Sequence, residues 1–192
     1  MAKKPEFRPD KPYSNWLNKL YLTQKQRRKL LKWTLYALVL LILSILQDVV
    51  LCHMRIFGAT TDLVPCGIFV ICLIEGSHTG SVFALVSALL YTFSGTAPGP
   101  YCIAMITVLA IGMTLFRQSY LQKGFIVTVI GSVLTVFVYE MLLFLIGVAF
   151  GYTLWNRWIG FVTTAALTSI AAPILYPISL AIASIGGETW KE

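Results

Sequence analysis

Apolar positions gather into six blocks along this chain, separated by short polar or glycine- and proline-bearing stretches. The blocks run from Trp33 to about Leu51, from roughly Leu63 to Ile74, from Gly80 to Phe93, from Tyr101 to Phe116, from Gly124 to Phe150, and from about Trp158 to Ile185. A transmembrane helix plus its loop needs roughly 20 to 25 residues, so the 160 residues after Lys32 hold six crossings and neither a seventh nor a second soluble domain. Blocks two and three are short. At 1.5 Å rise they reach only ~20 Å against a hydrocarbon core of ~30 Å. They are therefore expected to be extended by polar ends, tilted or irregular, and shielded from lipid by the longer helices. Pro173 and Pro177 should bend the last block, because each removes a backbone donor and crowds the preceding turn.

The segment before Trp33 has a different pattern. Tyr13, Trp16, Leu17, Leu20 and Tyr21 recur at i, i+3, i+4, i+7 and i+8, the stripe of a short helix lying on a membrane surface. Thr23 with Gln26 fits a capping box, opening a helix that carries Lys25, Arg27, Arg28, Lys29 and Lys32 into the first block. The chain thus reads as a basic tail with an interfacial helix over residues 1–32 and a six-helix transmembrane domain over 33–192. No cleavable leader is expected, since no small-residue cleavage site follows the first apolar block.

Composition supports the membrane reading. The chain is 57% hydrophobic and only 12% charged, with a mean hydropathy of +0.77, whereas a soluble domain carries about 25% charged residues. Its net charge of +7 is uneven: 10 of the 15 Lys and Arg lie within Met1–Lys32, so the tail carries about +8 and the rest about −1. A basic face on a folded module, which nucleic-acid binding requires, is missing from this arrangement; an anionic lipid surface is the simpler partner. A docking surface for a cytoplasmic protein is the alternative role of the tail. Placing the tail in the cytoplasm also puts Arg117, Lys123 and Lys191 inside and leaves Arg55 and Arg157 outside. Lys/Arg bias therefore predicts that both termini are cytoplasmic.

Catalytic chemistry finds little material. His53 and His78 fall on opposite sides of the membrane, no phosphate loop or nucleophile motif occurs, and no metal or cofactor site is expected. Cys52, Cys66, Cys72 and Cys102 lack CxxC spacing and read as small apolar packing residues, with a disulfide among Cys52, Cys66 and Cys102 as the alternative. Glu140 is the exception to this bland picture. It lies well inside block five, where an ionised carboxylate costs several kcal/mol unless paired or protonated. Either it is protonated or hydrogen-bonded packing against Ser, Thr or Tyr of a neighbouring span, or it serves a ligand, a proton or a partner helix. Asp48, beside Gln47, is expected to pair with Arg55. Gly147 and Gly151 form a GxxxG that Ala165, Ser169 and Pro173 continue at four-residue intervals. These small residues read as a packing face within the subunit, with a homodimer contact as the alternative.

The order of motifs in the first half resembles a known family. Gln47 ends block one, Arg55-Ile56-Phe57-Gly58 precedes Asp62-Leu63, Glu75-Gly76 and Gly80 bracket the turn into block three, and Ser94-Gly95 with Pro98-Gly99 closes it. Over about Leu46 to Gly99 this is similar to the rod shape-determining protein MreD family, and the likeness continues as hydropathy alone through blocks four to six. One departure is Tyr91, where the family pattern commonly has an Asp. The resemblance implies a non-enzymatic component of the cell-elongation machinery in a bacterial cell membrane, binding an MreC-like bitopic protein and linking MreB filaments to RodA and a class B penicillin-binding protein. It also implies a compact all-α bundle similar to the substrate-binding S-component of energy-coupling factor transporters. A second reading follows from that kinship, a small-ligand binding subunit with Glu140, Tyr91, Trp155 or Asp48 around an outward pocket.

Overall fold

The computed structural model describes residues 24–51, 53, 59–120 and 124–185. Within them the chain is helical and contains no β-strand. The interfacial stripe with Trp16, the Arg55–Gly58 motif with Phe57, and Cys52 lie outside the described residues.

All six apolar blocks form helix. α1 covers Gln24–Ile45 and widens into a π-helical turn over Leu46–Leu51. It crosses residue 32 without a break, so the basic run and the first apolar block are one rod. α2 is Leu63–Glu75, α3 Ser77–Phe93, α4 Tyr101–Tyr120 and α5 Phe125–Ala149. The last block is divided into α6, Trp158–Ser169, and α7, Ala172–Ile185. By length and composition α1 with its π turn, α4 and α5 are long enough to cross a membrane, and α6 with α7 makes a fourth candidate bent by 42°. The bend falls at residues 170–171, just ahead of Pro173, whereas Pro177 sits inside α7. Pro173 offers no N–H to the Ser169 carbonyl and its ring crowds that carbonyl, which stops α6 there.

The two short blocks have opposite fates. α2 is the axis of the bundle, in contact with α1, α3, α4, α5, α6 and α7. Twelve of its thirteen residues are buried, as befits a helix that is hydrophobic on every side. Pro65 costs it little, because a first-turn N–H has no intrahelical acceptor to lose. α3 is not shielded in the same way: Val82, Leu85, Val86 and Leu90 form an open apolar face. With 17 residues it lacks little of a full crossing, and such a face is at home against lipid tails.

Glycines set the joints. Gly76, at φ 88°, turns α2 into α3, and the two helices then run so close that a Cβ on Gly80 would stand 2.9 Å from the Cys72 carbonyl oxygen. Gly147 and Gly151, expected to form a helix-packing face, instead close the end of α5. Tyr152 N–H donates to the Gly147 carbonyl at 2.8 Å and Gly151 N–H to that of Val148 at 3.0 Å, with Gly151 at φ 74°. This is a Schellman cap, and its left-handed residue is what calls for glycine. Ala165 is buried, but Pro173 lies exposed beyond the bend, so the four-residue stripe on the last block is broken.

Candidate functional site

The two acids at the ends of α2 organise the polar chemistry of the bundle. Glu75 ends the helix on the side where α1 begins. Lys32 donates to its Oε2 at 2.7 Å, and the Tyr36 hydroxyl donates to its Oε1 at 2.7 Å while lying 3.2 Å from the Ser179 carbonyl of α7. All four residues are buried. Lys32 and Tyr36 are one turn apart on α1, so a single helix face supplies both partners. Trp33 and Phe83 pack their rings against Tyr36, closing the cluster from lipid. Lys32 ends the basic run that α1 carries into the first apolar block; the fold buries it, while Arg27, Arg28 and Lys29 are exposed. Lys32 lies just before block one and Glu75 just after block two, and consecutive antiparallel helices place those ends at one depth.

Asp62 caps the opposite end of α2. Gln47 Nε2 donates to its Oδ1 at 2.9 Å, and the Tyr91 hydroxyl donates to the same oxygen at 2.8 Å. Gln47 Oε1 in turn accepts from Val64 N–H at 3.1 Å, which satisfies one of the orphan donors of the first turn of α2. The Asp62 N–H donates to Thr168 Oγ1 of α6 at 3.0 Å. Four separate elements are thereby tied at one point: the π turn after α1, the start of α2, α3 and α6. The π turn has a clear role here, since the widened backbone follows directly on α1 and carries Gln47 to this junction.

A cavity of about 610 Å³ opens beside this junction. Gln47, Asp62, Tyr91 and Glu140 line it, together with Thr60, Thr61, Thr164, Phe161 and Arg157. The α3–α4 loop adds Thr96 and Pro98. Glu140 is only 3% exposed, and among the described residues its carboxyl has neither a hydrogen bond nor an ion pair. The packing alternative, in which neighbouring Ser, Thr or Tyr satisfy Glu140, is therefore not what the fold provides. Of the other residues expected around a pocket, Trp155 packs on Phe144, with ring centroids 5.6 Å apart, and Asp48 lies 3.4 Å from Ser44 Oγ. Neither lines the cavity.

The remaining expected residues are structural in position. Gly76 and Gly80 shape the α2–α3 turn, Gly95 turns at φ 78°, and Gly99 precedes α4 with its carbonyl accepting from Cys102 N–H at 3.1 Å. Cys66, Cys72 and Cys102 are buried free thiols. His53 and His78 fall at opposite ends of the bundle, and no group of three or more His, Cys, Asp or Glu suited to a metal occurs among the described residues. Thr168 and Thr61 were not legible in advance, since hydroxyls are frequent in these blocks and nothing in their spacing marks them.

A second cavity, about 790 Å³ and apolar, runs along the outside between α1 and α3. Ala37, Leu41 and Ser44 form one wall and Val82, Val86 and Leu90 the other, over a floor that includes Leu40, Phe83 and Ser87.

No family model matches the chain, and comparison with curated proteins and with solved structures returns no match.

Proposed function

We propose that this chain is a non-enzymatic, multi-pass component of the bacterial cell-elongation complex, of the rod shape-determining MreD type. It crosses the cytoplasmic membrane six times with both termini in the cytoplasm, α2 from within the bundle and α3 at its edge completing the four longer candidate spans. In this reading it binds an MreC-like bitopic protein and links MreB filaments to RodA and a class B penicillin-binding protein. The residues that carry the resemblance support it: Gln47, Asp62 and Tyr91 meet in one hydrogen-bonded junction, and Glu75, Gly76 and Gly80 build the turn at the other end of α2. Tyr91, the departure from the family pattern, is itself a member of that junction.

The observation that carries the partner assignment is the apolar groove between α1 and α3. Its walls repeat at helical spacing, Ala37, Leu41 and Ser44 against Val82, Val86 and Leu90, and its small residues Ala37, Ser44 and Ser87 allow close approach of another helix backbone. A bitopic partner presents one transmembrane helix, and a helix lies in a groove of this kind by its i, i+4, i+7 positions. The basic first turns of α1, with Arg27 and Arg28 exposed, meet anionic lipid or a cytoplasmic filament in this reading.

Filling the groove tests the reading. The Val86→Trp chain, co-expressed with the bitopic protein of its host, should keep its thermal midpoint yet lose at least tenfold of the co-purified partner. Undiminished recovery would remove the groove from the interface. A tightly bound vitamin or an ATPase module in the wild-type preparation would instead favour the transporter-subunit reading.

A further inference from the structure

We propose that the cavity at the Asp62 end of the bundle is a binding site for an organic ammonium group, held between Glu140 and Asp62. This goes beyond the elongation-complex reading and does not depend on it.

The argument begins with what each carboxyl lacks. Asp62 receives both of its side-chain hydrogen bonds, from Gln47 and Tyr91, on Oδ1; Oδ2 has no partner among the described residues. Glu140 has none on either oxygen. Both residues line the same cavity, and Thr61, whose buried hydroxyl oxygen is also without a partner, stands in its wall. Glu140 is buried and unpaired, which is costly for an ionised carboxyl, and within a membrane span an apolar side chain would serve packing better; Asp62 is half-buried at the end of α2, its second oxygen open to the cavity. Protonation relieves that cost in the empty cavity, and a cation entering between the two acids relieves it with the charge retained. Arg157 does not supply that charge. It lies exposed at the cavity wall and forms no ion pair with either carboxyl. Two acids against one guanidinium leave the formal charge of the wall at −1.

Size and chemistry of the wall then select the kind of cation. About 610 Å³ is within the range of small-molecule sites, roughly 300 to 1,000 Å³, and far more than a bare metal ion fills. No third acid, histidine or cysteine joins the pair to complete a metal shell among the described residues. Tyr91 and Phe161 instead stand in its wall, and aromatic rings attract organic ammonium groups, while the hydroxyls of Thr60, Thr61 and Thr164 can accept the N–H donors the carboxylates leave over. Two sources present this chemistry, a free small amine and the ethanolamine headgroup of a phospholipid.

The full-length protein in nanodiscs of phosphatidylglycerol, titrated with n-butylammonium, tests the free source, with butyrate as the matched anion. A second nanodisc containing phosphatidylethanolamine tests the lipid source. Either cation should raise the thermal midpoint by about 3–6 °C at tenfold excess over Kd, and butyrate should not. Glu140→Gln, which keeps shape and removes charge, should weaken binding at least tenfold, Asp62→Asn should weaken it less, and Thr164→Phe should block it by volume. If Glu140→Gln does not fold, the other two variants decide. A rise with n-butylammonium assigns a free amine, and one confined to phosphatidylethanolamine assigns the headgroup. No rise with either cation, an equal rise with butyrate, or a rise undiminished in the variants overturns the proposal.

Discussion

The two ends of α2 pose the same physical problem and solve it differently. At each end an acid is held by a tyrosine from a neighbouring helix, Glu75 by Tyr36 of α1 and Asp62 by Tyr91 of α3, with nearly identical distances of 2.7 and 2.8 Å. At the Glu75 end Lys32 completes the charge balance at 2.7 Å, and aromatic rings cover the cluster. At the Asp62 end no side-chain cation among the described residues closes on the acid; a second acid, Glu140, faces the same space, and a cavity opens there. One cluster is complete within the chain; the other leaves an unpaired carboxyl facing a cavity. The contrast teaches that a buried carboxyl is not by itself a sign of function. What separates structure from site is whether the fold supplies the counter-charge.

Breaking the closed end should cost most. Glu75→Leu leaves Lys32 buried without its partner and should destabilise by about 3–5 kcal/mol, whereas Lys32→Met combined with Glu75→Leu should recover to within about 1 kcal/mol of wild type. Denaturation of the single and double variants in the same detergent checks this; a double variant no better than the single would refute the counter-charge argument. The tyrosines sharpen the comparison at intermediate size. Tyr36→Phe removes a hydrogen bond to a fully enclosed carboxylate and should cost about 1.5–3 kcal/mol, while Tyr91→Phe should cost nearer 1 kcal/mol, because Asp62 can turn to water in the cavity. Equal losses would mean that the Asp62 end is as closed as the other. Smallest is Glu140→Leu, which removes an unpaired acid and should leave the thermal midpoint unchanged or higher. A loss above about 1 kcal/mol would show that Glu140 has a stabilising partner.

Much of this frame was legible along the chain. The starts and ends of α2, α4 and α5 fall within a few residues of the apolar blocks, because in lipid every backbone polar group must be satisfied inside the segment and helix is the local way to do so. Glu140 also stood out as a lone acid in a 25-residue apolar helix, although its pattern alone left packing and site roles both open. The burial of Lys32 was not visible, because a lysine at the end of a basic run has the same sequence signature whether it faces water or meets Glu75 across a helix pair. The GxxxG at Gly147 was misleading for a related reason: glycine serves both close packing and left-handed caps, and only the end of α5 at Ala149 decides between them.

Sequence alone determined that the chain is a set of apolar helices with its positive charge gathered before them, because periodicity, block length and charge are local quantities. Tertiary structure decided which helix lies at the centre, which face stays open, and which acids share a cavity. The shortest block became the axis because only a helix without a polar face can be surrounded by six others. Its two acids acquired opposite meanings from neighbours 43 and 29 positions away, and contacts over such separations leave no trace in the pattern of a single segment.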